Sequence, residues 1–243
     1  MEIDNFDILM KHMDFIDKND RYIVHVLRRP KDCKNLANEL GASEAQRLIR
    51  TYYIDSIEYM KSKIPAIKEL CHSCNARAYL IVSPKDNFEC LLNLGKKILD
   101  TIQNKNYSVK PEHLLRQSYC EMHKTRKKRW ILDLDDDEMF GWRKSKVLSL
   151  VKRMITADNK KDPAKAKELI NEIYKVKTRN GVHIITPPFN LAAAQKECEM
   201  MYEGVKTFVE KRPCGPDEYK DVKHNRTGWL HKDGMTLLYA DIK

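Results

Sequence analysis

The sequence predicts an α+β (or mixed α/β) fold, and three observations carry that prediction. Short β-branched and aromatic runs alternate with segments of helical apolar spacing along the whole chain. Helix-opening residues, Asp55-Ser56 and Asp86 among them, stand where such a run ends. Finally, 243 residues of which 42% are hydrophobic suffice for one large core or two modest ones. The same composition excludes collagen-like, disordered and low-complexity chains, and the strands exclude an all-helical bundle.

Taken in order, Phe6, Leu9, Met10, Met13 and Ile16 recur at helical spacing until Asn19-Asp20 breaks the pattern, and residues 22–27 read as a strand. A second β-rich run covers residues 48–54. Asp55 or Ser56 then caps a helix with Ile57, Met60, Ile64, Ile67 and Leu70 on one face, in which Pro65 is expected to force a kink or a restart. Residues 78–82 form a short strand ended by Ser83-Pro84. From about Asp86 a helix follows whose Phe88, Leu91, Leu92, Leu99 and Ile102 are expected to point inward.

Residues 103–128 are polar and read as a connection. The second half restarts with a strand at 130–134, and a helix carries Val147, Leu148, Val151 and Met154. Asp162-Pro163 opens a short helix, after which come a strand at 182–185, a helix at about 191–202, a strand around 205–209 and a last strand at 235–240. The organisation expected is an N-terminal α/β subdomain (1–110), a basic connection (111–129) and a second α/β subdomain (130–243), or else one sheet shared by both halves.

Lys and Arg number 45 against 35 Asp and Glu, a formal net charge of +10, which favours an acidic or phosphate-bearing partner. No apolar run approaches the ~20 residues of a membrane span. The first residues are acidic where a signal peptide is basic, so a soluble, cytoplasmic protein is expected. Seven cysteines at irregular spacing read as reduced thiols. Cys71 and Cys74 form C-x-x-C, and Cys120 with His123 repeats the spacing, a chemically sound set for zinc. Zinc is nonetheless disfavoured, because Cys71 and Cys74 end an apolar helical pattern where cysteine serves as a buried hydrophobe.

Chemistry concentrates at Asp133-Leu134-Asp135, the carboxyl end of a hydrophobic strand, followed by Asp136, Asp137 and Glu138. Residues two apart in a strand point the same way, so Asp133 and Asp135 project together. Carboxylates that close repel unless a cation lies between them, which suits Mg²⁺ or Mn²⁺. An acidic turn leading into a helix is the plainer reading, but it does not account for an aspartate inside the apolar run. Thr178 and Arg179 precede an Asn180-Gly181 turn, and the strand beyond it carries His183; together these three could bind phosphate oxygens. A strand histidine serves equally well as a core residue. Asp241 closes the last strand as a candidate third carboxylate, and His231, Lys232 and Asp233 stand just before it. Lys124, Arg126, Lys127, Lys128 and Arg129 form a basic cluster directly before the first acidic strand.

A hydrophobic strand ending in D-x-D, a later strand reading T-x-N-G-x-H and a last strand ending in Asp together resemble the three motifs of the archaeo-eukaryotic primase superfamily. Asn180-Gly181 stands where that family has a Ser-rich approach to the histidine. The resemblance covers the second half of the chain. It implies an RRM-like mixed sheet packed with helices, and metal-dependent nucleotidyl transfer on a nucleic-acid template. It further implies Mg²⁺ or Mn²⁺ held by Asp133, Asp135 and Asp241, a nucleotide-phosphate contact at His183, and nucleic acid and nucleotides as partners. The basic cluster would follow the template backbone. The carboxylates of Asp133 and Asp135 and the ring of His183 are then expected on adjacent strands within about 10 Å, the reach of a metal and a triphosphate. Segments 52–56, 76–79 and 180–186 also look like small proteins of tailed bacteriophages, a likeness that implies no activity.

Two alternatives stand beside this one. The D-x-D strand also resembles the haloacid-dehalogenase-like phosphatases, with Asp133 as nucleophile and Asp135 as acid, although Asp137 stands where that family has Thr or Val. The other is a phage-encoded, non-catalytic binding or regulatory protein on a primase-like fold, which uses the positive charge to hold nucleic acid or an acidic host partner.

Overall fold

Residues 2–28, 48–122, 127–135, 141–201, 230–231 and 234–241 are described by the computed structural model. Helices pack with two sheets whose neighbouring strands are all antiparallel, an α+β fold. The chain divides into two units, Met1–Lys128 with Met235–Lys243, and Arg129–Gly234. Among the described residues no helix is long and apolar enough to cross a membrane.

The first unit contains β1 (Glu2–Asp4), α1 (Phe6–Lys11), β2 (Asp20–Leu27), β3 (Leu48–Ile54), α2 (Ile57–Ser73), β4 (Arg77–Asp86), α3 (Asn87–Gln103) and α4 (Pro111–Glu121). The chain's last described strand, which follows the second unit in sequence, lies between β1 and β4 in a sheet otherwise ordered β4-β2-β3. Alternation sorts its residues. Ile23 pairs with Tyr53 and Ile81 and shares a cluster with Cys90 of α3 and Tyr119 of α4, while Val24, one residue on, pairs with Tyr52 and Leu80. The Tyr53 and Tyr119 rings stack with centroids 4.6 Å apart.

Four local expectations change here. α2 runs unbroken through Pro65, which is exposed, so water can satisfy the Lys61 carbonyl that proline leaves without a donor. β4 continues past Ser83-Pro84 because the pairing with β2 is irregular between Arg21 and Ile23, where no ladder donor is required of Pro84. Residues 111–121, expected as connection, form α4, opened by Pro111 and buried through Leu114, Ser118 and Tyr119. Most sharply, α3 turns its apolar stripe outward: Phe88, Leu91, Leu92, Leu99 and Ile102 are 57%, 49%, 48%, 60% and 52% exposed. Its inward side is Cys90, and Lys97 on the same side is tied to Glu121 of α4 at 2.8 Å, which sets the helix's rotation.

The second unit contains β5 (Trp130–Asp135), α5 (Gly141–Asp158), α6 (Pro163–Asn171), β6 (Tyr174–Lys177), β7 (Gly181–Thr186), α7 (Leu191–Met201) and β8 (Leu230–His231). The Asp162 carboxylate caps α6 by accepting from the Lys165 N–H at 3.0 Å. The sheet order is β6-β7-β5-β8: β7 fills the place between β5 and β6 antiparallel to both, and β8 pairs with the other edge of β5, the split β-α-β arrangement. Trp130, Leu132 and Leu134 of β5 and Ile184 of β7 pack against Val147, Leu150, Val151, Met154 and Ile155 of α5 and Ala194 of α7. The strand expected at 205–209 lies outside the described residues. The final strand, β9 (Met235–Asp241), returns to the first unit: the Asn5 N–H and side-chain amide donate to the Leu238 and Leu237 carbonyls, both at 2.9 Å.

Two buried polar groups of the first unit make predictions. His25 is buried on β2 with Nδ1 3.0 Å from Thr51 Oγ1, and burial, helped by the Arg116 guanidinium, lowers its pKa from 6.5 to about 4. The folded ring therefore stays neutral where the unfolded one takes up a proton, and stability falls as pH drops from 6.5 towards 4. Urea unfolding should lose about 3 kcal/mol across that window from this group, and His25→Gln should flatten the profile there. The Tyr52 hydroxyl is buried without a hydrogen-bond partner among the described residues. Tyr52→Phe should therefore leave stability unchanged or raise it by about 1 kcal/mol, where a paired hydroxyl would lose a similar amount.

Candidate functional site

β5 is a strand because Trp130, Leu132 and Leu134 form one apolar face and Ile131 and Asp133 the other. β7 has the same alternation, with Ile184 on the helix side and His183 and Ile185 on the opposite side. The antiparallel register runs from Trp130↔Thr186 to Asp135↔Gly181 and sets Asp133 directly across from His183. His183 Nε2 lies 3.2 Å from Asp133 Oδ1, the imidazole 13% and the carboxylate 40% exposed. The neighbouring pair on that face, Ile131 and Ile185, is fully buried, and so is Val176 on the far side of His183. The Asp–His pair therefore borders an apolar floor on which charge is weakly screened, while its carboxylate stays open to solvent.

Asp135 forms the last register pair of the ladder, opposite Gly181. At that end β6 and β7 are joined by a tight hairpin closed by the Thr178 N–H donating to the Gly181 carbonyl at 3.0 Å. The turn centres on Arg179-Asn180, with Gly181 already in β7, so Arg179 is exposed at the tip and Thr178 half-buried. The fold thus gathers Asp133, Asp135, His183, Thr178 and Arg179 at one end of one sheet. β8 adds His231 in register opposite Ile131; Lys232 and Asp233 lie outside the described residues, as do Asp136, Asp137 and Glu138.

Other candidates are placed elsewhere. Asp241 ends β9 in the five-stranded sheet of the first unit, its Oδ2 2.9 Å from His72 Nδ1. Arg129, expected on a nucleic-acid-facing rim, is only 3% exposed. Its Nη1 meets Glu172 Oε2 at 3.1 Å and donates to the Glu172 carbonyl at 3.2 Å, so this guanidinium is committed to the fold. Lys127 is paired with Asp14, and Lys128 is half-buried. Lys124 and Arg126 lie outside the described residues.

The partners of Asp241 and Arg129 were not legible in the chain. His72 and Glu172 carry no motif, and Glu172 stands 43 residues from Arg129.

Among the described residues no three His, Cys, Asp or Glu side chains are arranged to hold a metal ion. Asp133 offers the hard oxygen donor that Mg²⁺ or Mn²⁺ prefers. In the C-x-x-C, Cys71 is buried, and burial pushes its thiol up to about 12. Cys120 is exposed, Cys74 is half-buried, and His123 lies outside the described residues. No protein-family model, curated protein or solved structure matches the chain.

The assignment of Arg129 to the fold has a direct test. Arg129→Ala should lower the unfolding free energy by about 2–4 kcal/mol, since it strands the half-buried Glu172 carboxylate. Lys128→Ala should stay within about 0.5 kcal/mol of the parent. Equilibrium denaturation of the two variants separates these outcomes.

Proposed function

We propose that the second unit carries out metal-dependent nucleotidyl transfer of primase-polymerase type on a nucleic-acid template. The observation that carries this reading is the cross-strand pair of Asp133 and His183 at the end of β5, with the Thr178–Arg179 hairpin at the same end of the sheet. The β6-β7-β5-β8 order supports it as well, being the order of RRM-type sheets. The surplus of positive charge suits a template and nucleoside triphosphates as partners, in a cytoplasmic setting.

In this reading Asp133 and Asp135 hold Mg²⁺ or Mn²⁺, which when bound offsets phosphate charge and makes a hydroxyl a better nucleophile. Asp241, engaged with His72 in the other sheet, is not needed as a ligand. His183 releases Asp133 and turns its Nε2–H towards a triphosphate oxygen, and its low exposure keeps that hydrogen bond from competition with water. Arg179, exposed at the hairpin tip, gives a planar fork to the same phosphates, and the Thr178 hydroxyl adds a neutral donor. The reaction is an in-line displacement: a terminal hydroxyl oxygen bonds to the α-phosphorus, the bond to pyrophosphate breaks, and the hydroxyl proton passes to solvent.

Incorporation of labelled nucleotide on a primed and an unprimed template, with Mg²⁺ or Mn²⁺, tests the proposal. Asp133→Ala and Asp135→Ala should each cost roughly 10²-fold or more in rate. His183→Ala should raise KM for the nucleotide. Phosphate release that needs no template would instead point to phosphatase chemistry. Salt-sensitive binding of nucleic acid with no incorporation under any metal would leave a binding module and remove the enzymatic reading.

A further inference from the structure

A helix in a folded unit ordinarily turns its apolar stripe to the core, and α3 does the reverse. Phe88, Leu91, Leu92, Ile98, Leu99 and Ile102 are each between 38% and 60% exposed, and they form a continuous stripe along the helix. The opposite side, with Cys90 buried and Lys97 bonded to Glu121, holds the helix in that orientation. A rotation that buried the stripe would break this tie.

The stripe repeats every seven residues: Phe88, Gly95 and Ile102 in one row, Leu91 and Ile98 in a second, Leu92 and Leu99 in a third. This is the spacing of a seam made for another helix. Gly95 stands at its centre, where glycine weakens the interior of a helix relative to alanine. Among the described residues a Cβ at Gly95 would meet no atom within 4 Å, so their packing does not require a glycine there. A notch of this kind admits the close approach of a backbone from outside.

The arrangement is also its own complement. Reversing the helix about Gly95 carries Phe88 onto Ile102, Leu91 onto Leu99, Leu92 onto Ile98, and Gly95 onto itself. Each of the six exposed stripe residues thereby meets another of the six, the condition for a closed two-fold contact in which both copies use one patch. We propose that α3 packs antiparallel against α3 of a second copy of this chain, with the two backbones closest at Gly95. The stripe exposes a few hundred Å² of apolar surface per copy, less than the ~800 Å² per partner of an interface of ordinary size. The dimer is therefore weak and dissociates on dilution.

Analytical ultracentrifugation of the full chain, from low micromolar to near-millimolar concentration, should show monomer passing reversibly into dimer. Leu92→Glu, at a solvent-exposed position, should leave the circular dichroism and melting temperature unchanged and abolish the dimer. Gly95→Ala should act in two opposite directions. It should raise the melting temperature of dilute, monomeric protein, because the helix gains propensity. It should also weaken association about tenfold or more, because the added methyl falls where the backbones meet. A chain that stays monomeric at every concentration would overturn the proposal. So would a dimer unmoved by both substitutions, or one that Gly95→Ala tightens.

Discussion

Asp133 and His183 face one another across β5 and β7 because the apolar residues between them leave no other register. Side chains alternate with a period of two, so a slip of one residue would turn Asp133 towards α5 and push Leu132 and Leu134 out. The core that α5 and α7 complete on one side of the sheet is therefore what fixes the polar pair on the other. Ile131 and Ile185, fully buried beside that pair, make a lone carboxylate costly there, and the imidazole offsets the cost. Packing and candidate chemistry share one constraint, read from opposite faces.

Charge is used differently elsewhere in the protein. Arg129 and Glu172, Lys97 and Glu121, and His72 and Asp241 each bind segments distant in sequence. The first is buried and therefore strict about its partner, whereas the Glu121 and His72 side chains are more than half exposed and contribute modestly to stability. A cluster of basic residues in the sequence thus resolves into members with unlike surroundings. Positive charge near an acidic strand is not by itself a polyanion-binding surface.

The parts of the fold legible in the sequence were those where one pattern admits one placement. Residues 130–135 and 182–185 alternate cleanly, and the opposite facing of His183 and Ile184 follows from that alternation alone. Asp162 and Ser56 mark helix starts because a side-chain oxygen must satisfy an otherwise unbonded N–H. α3 was legible as a helix but not in its orientation, since an apolar stripe has the same period whether it meets a core or solvent. α4 was hidden by a polar composition with only a narrow buried edge. Of the candidate site, alternation gave the faces of the D-x-D strand and the histidine strand, whereas their adjacency was expected only from the family resemblance. The places of Asp241 and Arg129 could not, since each depends on a partner far along the chain.

The interposition of β9 between β1 and β4 has a consequence in time. Residues 129–234 form the second unit without interruption, so that unit holds all its described strands once its last residue has been synthesised. The first unit begins earlier and finishes later. Among the described strands, β1 has no neighbour and one edge of β4 has no partner until Met235–Asp241 emerges from the ribosome. During that interval β4 presents unpaired backbone donors and acceptors of the kind that recruit foreign strands. The order of translation thus makes the nascent first unit, rather than the finished protein, the state most exposed to misassembly.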